Sequence, residues 1–206
     1  MRVATIAMVS LLTLNCCIQK GHQNKAVEQD RLVTILSNDL EEMYESLKGD
    51  FKSEEALIHY VNGTSFFKDL VLDSSKYHLL KANEFEPKNA IVLKDLGILF
   101  TYLKDINSAK MYLKECLEVD PDNWMAMNSY GYCLCAQDSC HLSLDLYNRA
   151  MLLSQNNSHI YLNKALAFQN LGLFDSSCVN FDLAVKYNED PSITLAKDYK
   201  KMFNCD

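Results

Sequence analysis

Marker residues in this chain recur at a constant interval of about 34 residues. Gly63, Gly97, Gly131 and Ala165 form one column of small residues. Phe66, Phe100, Leu134 and Phe168 form a second column, three residues further on. Leu79, Leu113, Tyr147 and Phe181 make a third, and Ala82, Cys116, Ala150 and Ala184 a fourth. Pro87 and Pro121 stand at matching places, followed by Asn89 and Asn123. A fixed period of this length, in a chain with only six glycines and three prolines, predicts stacked helical hairpins rather than a turn-rich β architecture. A stack of that kind presents a long surface for binding and carries no built-in chemistry.

Composition bounds the partners. The chain has 206 residues, 49% of them hydrophobic and 23% charged, enough for one substantial core. A formal charge of −7 argues against nucleic acid, whose phosphates demand a basic surface. It argues equally against docking on anionic lipid through a polybasic patch. No apolar run beyond residue 20 reaches the ~20 residues that a spanning helix needs.

The stretch 1–15 reads as a targeting segment. Met1-Arg2 is a short basic start, and Val3 to Leu14 is almost wholly apolar or small. That length suits the core of a signal peptide and is too short to span a bilayer. The core runs into Leu12-Thr13-Leu14-Asn15-Cys16-Cys17. An apolar core ending at a cysteine resembles a bacterial lipoprotein signal, with cleavage before Cys16 after its lipidation. Asn15 and Thr13 depart from the residues that pattern prefers. Cys17 is the alternative lipid site, and an ordinary secretory signal or an uncleaved apolar N-terminus are the alternative readings. Acyl chains on Cys16 would hold a soluble domain at a membrane. The resemblance therefore implies a lipid-anchored protein of the bacterial cell envelope, at the outer membrane, facing the periplasm or the surface. The polar stretch 16–25 is then a flexible tether.

Residues 26–55 form an N-terminal helical extension. Leu32, Ile35, Leu36, Leu40, Met43 and Leu47 recur at helical steps from Ala26 to Leu47, opposite an acidic face, and Gly49-Asp50 ends the run. This helix either pairs with a short helix near Phe51–His59 or caps the open end of the stack. Four units follow, over 56–89, 90–123, 124–157 and 158–191, and a capping helix over 192–206 with Ser192 as its N-cap. Within each unit the small residue sits on the first helix, where two helices cross closely. Proline just past a helix end blocks its continuation.

These columns resemble the tetratricopeptide repeat. The second unit is the best copy, with Leu96-Gly97, Phe100, Ala109, Leu113, Leu117, Asp120-Pro121 and Asn123 all in place. The third has Ser154-Gln155-Asn156-Asn157 instead of the Asp-Pro linker, the fourth has Lys164 where the family has an apolar residue, and the first has a polar Asn62 before its glycine. Trp124 stands three residues before the place of a family tryptophan and is not counted. The resemblance implies an all-α solenoid of four helix-turn-helix repeats, and a non-enzymatic module that binds another protein or a peptide. In such stacks the first helices line the concave face. The expected groove residues are then Tyr60 and Phe67; Ile91, Lys94, Ile98 and Tyr102; Met125, Asn128 and Tyr132; and His159, Leu162 and Leu166. A carboxylate clamp of the kind some members use is not expected, because Ile98, Ser129 and His159 stand where its residues belong.

Of the eight cysteines, Cys135 ends one helix and Cys140 begins its partner, so both lie at one turn. Cys178 and Cys205 lie at one edge of the stack. Both pairs are candidate disulfides, and Cys116 and Cys133 read as small apolar core residues. The run from Cys133 to His141 raises a rival reading, a metal or thiol-redox protein. It has no second CxxC or HxxH at zinc spacing. No phosphate loop, dinucleotide fingerprint or hydrolase motif appears either. Neither a cofactor nor a metal is expected. A third reading is a purely structural surface lipoprotein.

Overall fold

The computed structural model describes residues 39–187 and 195–205. The signal segment, Cys16, the tether, the start of the N-terminal extension and Ser192 lie outside the described residues. Residues 39–47 are helical (α1). The described helices that follow are α2 (Glu54–Lys68), α3 (Leu72–Phe85), α4 (Ala90–Tyr102), α5 (Ile106–Val119), α6 (Trp124–Cys135), α7 (Cys140–Leu153), α8 (Ser158–Asn170), α9 (Phe174–Lys186) and α10 (Leu195–Met202). No strand occurs among the described residues. Two compact units divide at Val92 and Leu93, within α4.

The starts of α4, α6 and α8 share one device. Asn89, Asn123 and Asn157 stand one repeat apart, and each turns its side-chain oxygen onto the first free N–H groups of α4, α6 and α8. Asn89 Oδ1 accepts from Ile91 N at 3.0 Å, Asn123 Oδ1 from Ala126 N at 3.0 Å, and Asn157 Oδ1 from His159 N at 3.1 Å. The amide of each cap is itself held by the residue three places earlier. Asn89 donates to Glu86, Asn123 to Asp120 and Asn157 to the Ser154 hydroxyl. The missing Asp-Pro of the third linker is therefore no obstacle, since a hydroxyl oxygen accepts as a carboxylate does.

The turn inside each hairpin shares a second device. Leu70, Lys104, Asp138 and Gly172 all have positive φ, between 58° and 73°. At each, the N–H of the following residue reaches back to the carbonyl of Phe66, Phe100, Leu134 or Phe168 at 2.9–3.0 Å. This closes the first helix with a left-handed residue and satisfies its last carbonyls. Only the fourth turn uses glycine, the residue that adopts this conformation without strain.

Close crossing explains the small column. A Cβ on Gly63 would lie 2.8 Å from Leu79 Cγ, and one on Gly131 would lie 2.6 Å from Tyr147 Cε1. A Cβ on Gly97 would collide with Leu113. The first and third columns of the repeat are therefore the two sides of one helix contact. In the fourth hairpin Ala165 and Phe181 take these roles in a core that also holds Leu162, Ala184, Ala196 and Cys205.

In the unit ending at Val92 there is no separate helix over 51–59. Glu54 already opens α2, capped by Ser53, whose side chain accepts from Ala56 N. The short helix expected near Phe51–His59 is thus the start of the longer α2. α1 lies against α2. Met43 Sδ is 3.6 Å from Thr64 Oγ1, Tyr44 donates to Glu54 Oε1 at 3.2 Å, and Leu40 and Tyr44 are buried. In the other unit, α10 closes the chain's last hairpin. Ala196 and Cys205 face inward, Tyr199 and Phe203 pack on Phe181 at 5.9 Å, and Lys197 and Asp198 stay exposed.

Candidate functional site

One face of α4, α6 and α8 frames a cavity of about 700 Å³, within the range of binding clefts. From α4 and its turn come Ile98, Thr101, Tyr102 and Lys104. From α6 come Trp124, Met125, Asn128, Ser129 and Tyr132, and from α8 His159, Leu162 and Asn163. The helical period explains the set, because positions 98, 101 and 102, then 125, 128, 129 and 132, share one stripe. All of these residues belong to the unit beginning at Leu93.

Three features define its chemistry. Ile98, Trp124, Met125 and Leu162 supply apolar area, with Tyr102 and Met125 standing exposed. Asn163 Nδ2 donates to Asn128 Oδ1 at 3.0 Å, linking α6 to α8. That bond leaves the Asn128 amide as a donor and the Asn163 carbonyl as an acceptor. Lys104, exposed in its left-handed turn, is the lining cation beside His159, and no carboxylate lines the cavity.

The expected groove residues fall into three groups. Ile98, Tyr102, Met125, Asn128, Tyr132, His159 and Leu162 line the cavity. Lys94 and Leu166 do not. Lys94 Nζ sits 3.0 Å from Asp95 Oδ1 with its side chain 15% exposed, and Leu166 packs on the core around Phe181. In the other unit, Tyr60 is 6% exposed and packs against Phe51 in a tilted pair, ring centres 5.2 Å apart. It is a core residue, which corrects its assignment to a binding surface. The loop before α2 folds Phe51 back over it. Phe67 and Ile91 are half-buried. Thr101, Lys104, Trp124, Ser129 and Asn163 join the lining without being among the expected groove residues. Trp124 misses the family tryptophan column. Its position four residues before Asn128 and eight before Tyr132 is the signal that places it on the same stripe.

The described cysteines form two disulfides and two buried thiols. Cys135 and Cys140 are joined as a disulfide across the α6–α7 turn, with Cα atoms 4.0 Å apart. Cys178 and Cys205 are joined between α9 and the end of α10, with Cα atoms 5.1 Å apart. Cys116 and Cys133 stand outside both disulfides and are buried. Burial pushes the Cys116 thiol up to about 12 and the Cys133 thiol upward as well, which suppresses thiolate reactivity. Cys133 faces Thr101 Oγ1 at 3.6 Å, while His141 is exposed. Within the Cys133–His141 run, Cys135 and Cys140 thus come together as a disulfide, with Cys133 buried and His141 exposed. Among the described residues no group of three or more His, Cys, Asp or Glu side chains is placed to hold a metal.

Lys164, where an apolar residue is usual, solves its placement locally. Its Nζ donates to Asn148 Oδ1 at 2.8 Å and lies 5.9 Å from the Phe168 ring centre. Burial lowers its pKa.

Comparison with known proteins places the fold. Residues 95–123 match the tetratricopeptide repeat family. No curated protein matches the sequence. Among solved structures, MamA from residue 41 to its end, from Desulfovibrio magneticus RS-1, superposes with a TM-score of 0.63 at 16% identity, over 75% of this chain and 86% of that one. YrrB, described as a TPR protein with an unusual peptide-binding site, gives 0.61 at 19% identity, over 83% and 86%. A further MamA structure gives 0.58 at 20% identity, over 73% and 85%. At such identities the likeness shows the fold, which is the all-α tetratricopeptide-repeat fold.

Proposed function

We propose that this protein is a non-enzymatic interaction module that holds a polypeptide segment against α4, α6 and α8. The observation that carries this reading is the cavity itself. It is fed by one stripe from each of three consecutive first helices, and it combines apolar side chains with a carboxamide pair. Peptides bind such surfaces through apolar anchors and main-chain hydrogen bonds. Burial pushes the Cys116 and Cys133 thiols toward their protonated form, and Cys135 is closed onto Cys140, so the rival redox reading is left with that disulfide. YrrB's description as a peptide-binding protein of this fold supports the same class of partner.

The N-terminal signal adds a location. The apolar core ending at Cys16 supports a lipid anchor in the bacterial envelope, so that the module acts as a scaffold or assembly factor at a membrane surface.

The groove is tested by site-specific photo-crosslinking in cells, with the probe at Met125 in the cavity or at Met111, exposed on α5. A protein adduct formed at 125, absent at 111, and lost on combining the probe with Tyr102→Ala and Tyr132→Ala is the expected result. Equal adducts from both positions reject the groove.

A further inference from the structure

We infer that the segment held by this groove is an acidic one: an extended peptide with an apolar or aromatic side chain flanked by carboxylates. This deepens the peptide-binding reading and rests on it. The chain carries 27 acidic against 20 basic residues, so a random stretch of its surface should contain carboxylates. The cavity lining contains none, while it contains Lys104 and His159. The nearest sequence candidate, Asp105, is engaged elsewhere. Its carboxylate accepts from Ser108 N at 3.1 Å and from the Ser108 hydroxyl at 2.7 Å, as the cap of α5. Lys104 makes no ion pair among the described residues, in contrast to Lys94, which is neutralised by Asp95.

Lys104 is also placed where a partner can use it. Its backbone occupies the left-handed turn position, with φ 63°, which sets the side chain at the rim of the cavity. Beside it lie the apolar side chains Ile98, Trp124, Met125 and Leu162. The Asn128–Asn163 pair offers one donor and one acceptor, the complement of a single peptide unit. A bound chain would then lay one amide on the carboxamide pair, one apolar side chain against Trp124 and Leu162, and one carboxylate at Lys104. The overall charge of −7 does not oppose this at contact, since fields are screened beyond about 8 Å at physiological salt.

Trp124 is the chain's single tryptophan and lines the cavity, so its emission reports occupancy in the unlabelled protein. The probes are acetylated, amidated nonapeptides with a central Phe flanked by two Asp, two Asn or two Lys, in a Ser/Gly frame. A fourth probe carries Asn flanks and a free C-terminal carboxylate next to the Phe. The Asp-flanked peptide is expected to bind two- to fivefold tighter than the Asn-flanked one, roughly the upper range of an exposed ion pair. The Lys-flanked peptide should bind weakest. Lys104→Gln should bring the Asp-flanked peptide down to the affinity of the Asn-flanked one, with the variant's helical circular dichroism checked against wild type. Tight binding of the fourth probe supports the same carboxylate recognition and assigns it to a chain end. Equal binding of Asp and Asn peptides, or a preference that survives Lys104→Gln, overturns the acidic assignment and leaves the groove standing. No change in Trp124 emission with any probe up to millimolar concentration overturns the groove reading as well.

Discussion

Single residues in this protein carry contrasting local demands. Leu70 holds a left-handed backbone, φ 58°, and its side chain is 69% exposed. A non-glycine residue in that conformation is strained by about 1 kcal/mol, and an exposed leucine returns little. Leu70→Gly, which copies what Gly172 does in the fourth hairpin, should raise stability by about 0.5–1 kcal/mol in urea unfolding, part of the gain being offset by the freer unfolded chain. Gly131 is the opposite case. Helix propensity alone favours alanine there by about 1 kcal/mol, yet a Cβ would sit 2.6 Å from the Tyr147 ring. Tyr147 is buried among core residues and has nowhere to swing. Gly131→Ala should therefore destabilise by a net ~1–2 kcal/mol in the same assay. A neutral or stabilising result would mean that the helices of this hairpin do not cross closely.

Between elements, two contacts respond to solution conditions. His59 on α2 and His78 on α3 face each other, with Nδ1 atoms 3.0 Å apart, beside Tyr77, Phe66 and Phe85. One ring must donate and the other accept, so the contact requires at least one neutral imidazole. Burial and the neighbouring His59 depress the His78 pKa to about 4. Burial and Lys81 lower that of His59 too, opposed by Glu84. Histidine in the unfolded chain titrates near 6.5, so below that pH the unfolded state binds more protons than the folded one. Stability is then full above about pH 6.5 and is lost progressively as the pH falls toward 4. We expect a loss of about 2 kcal/mol between pH 7 and 4.5, much reduced in His78→Phe, measured by urea midpoints at each pH. The second contact is the Cys178–Cys205 disulfide, which closes a span of 27 residues, against five for Cys135–Cys140. Loop-closure entropy gives about 3.5 kcal/mol for the longer and about 2 kcal/mol for the shorter. Cys205→Ser should lower the melting temperature more than Cys140→Ser does. The reverse order would show that strain or residual structure outweighs loop entropy here.

For the whole molecule, the proposed anchor makes a test independent of the groove. Cys16→Ser should move the protein from the membrane fraction to a soluble one and abolish its labelling by palmitate, with helical content retained in the released domain. Retention in membranes without label would favour an uncleaved N-terminus. The helix register is readable because stacking forces the same demand in every repeat, a small residue opposite a large one. Tyr60 shows where reading by register stops. Its column position matches the lining of later helices, but Phe51 and the leading helix cover this face of α2. Nothing in the periodicity announces a covering element that lies outside the repeat. Lys94 shows a second limit, because its pairing with Asp95 depends on side-chain placement rather than on position.

The order of residues by itself determined the helical hairpins and their close crossings, since each follows from contacts local to one repeat and is written again in the next. Tertiary structure alone decided which first-helix residues remain open to a ligand, that Trp124, Lys104 and Asn163 share a cavity, and that no carboxylate enters it. Those properties arise where residues from three helices converge, and convergence is set by packing between repeats, which no single period encodes.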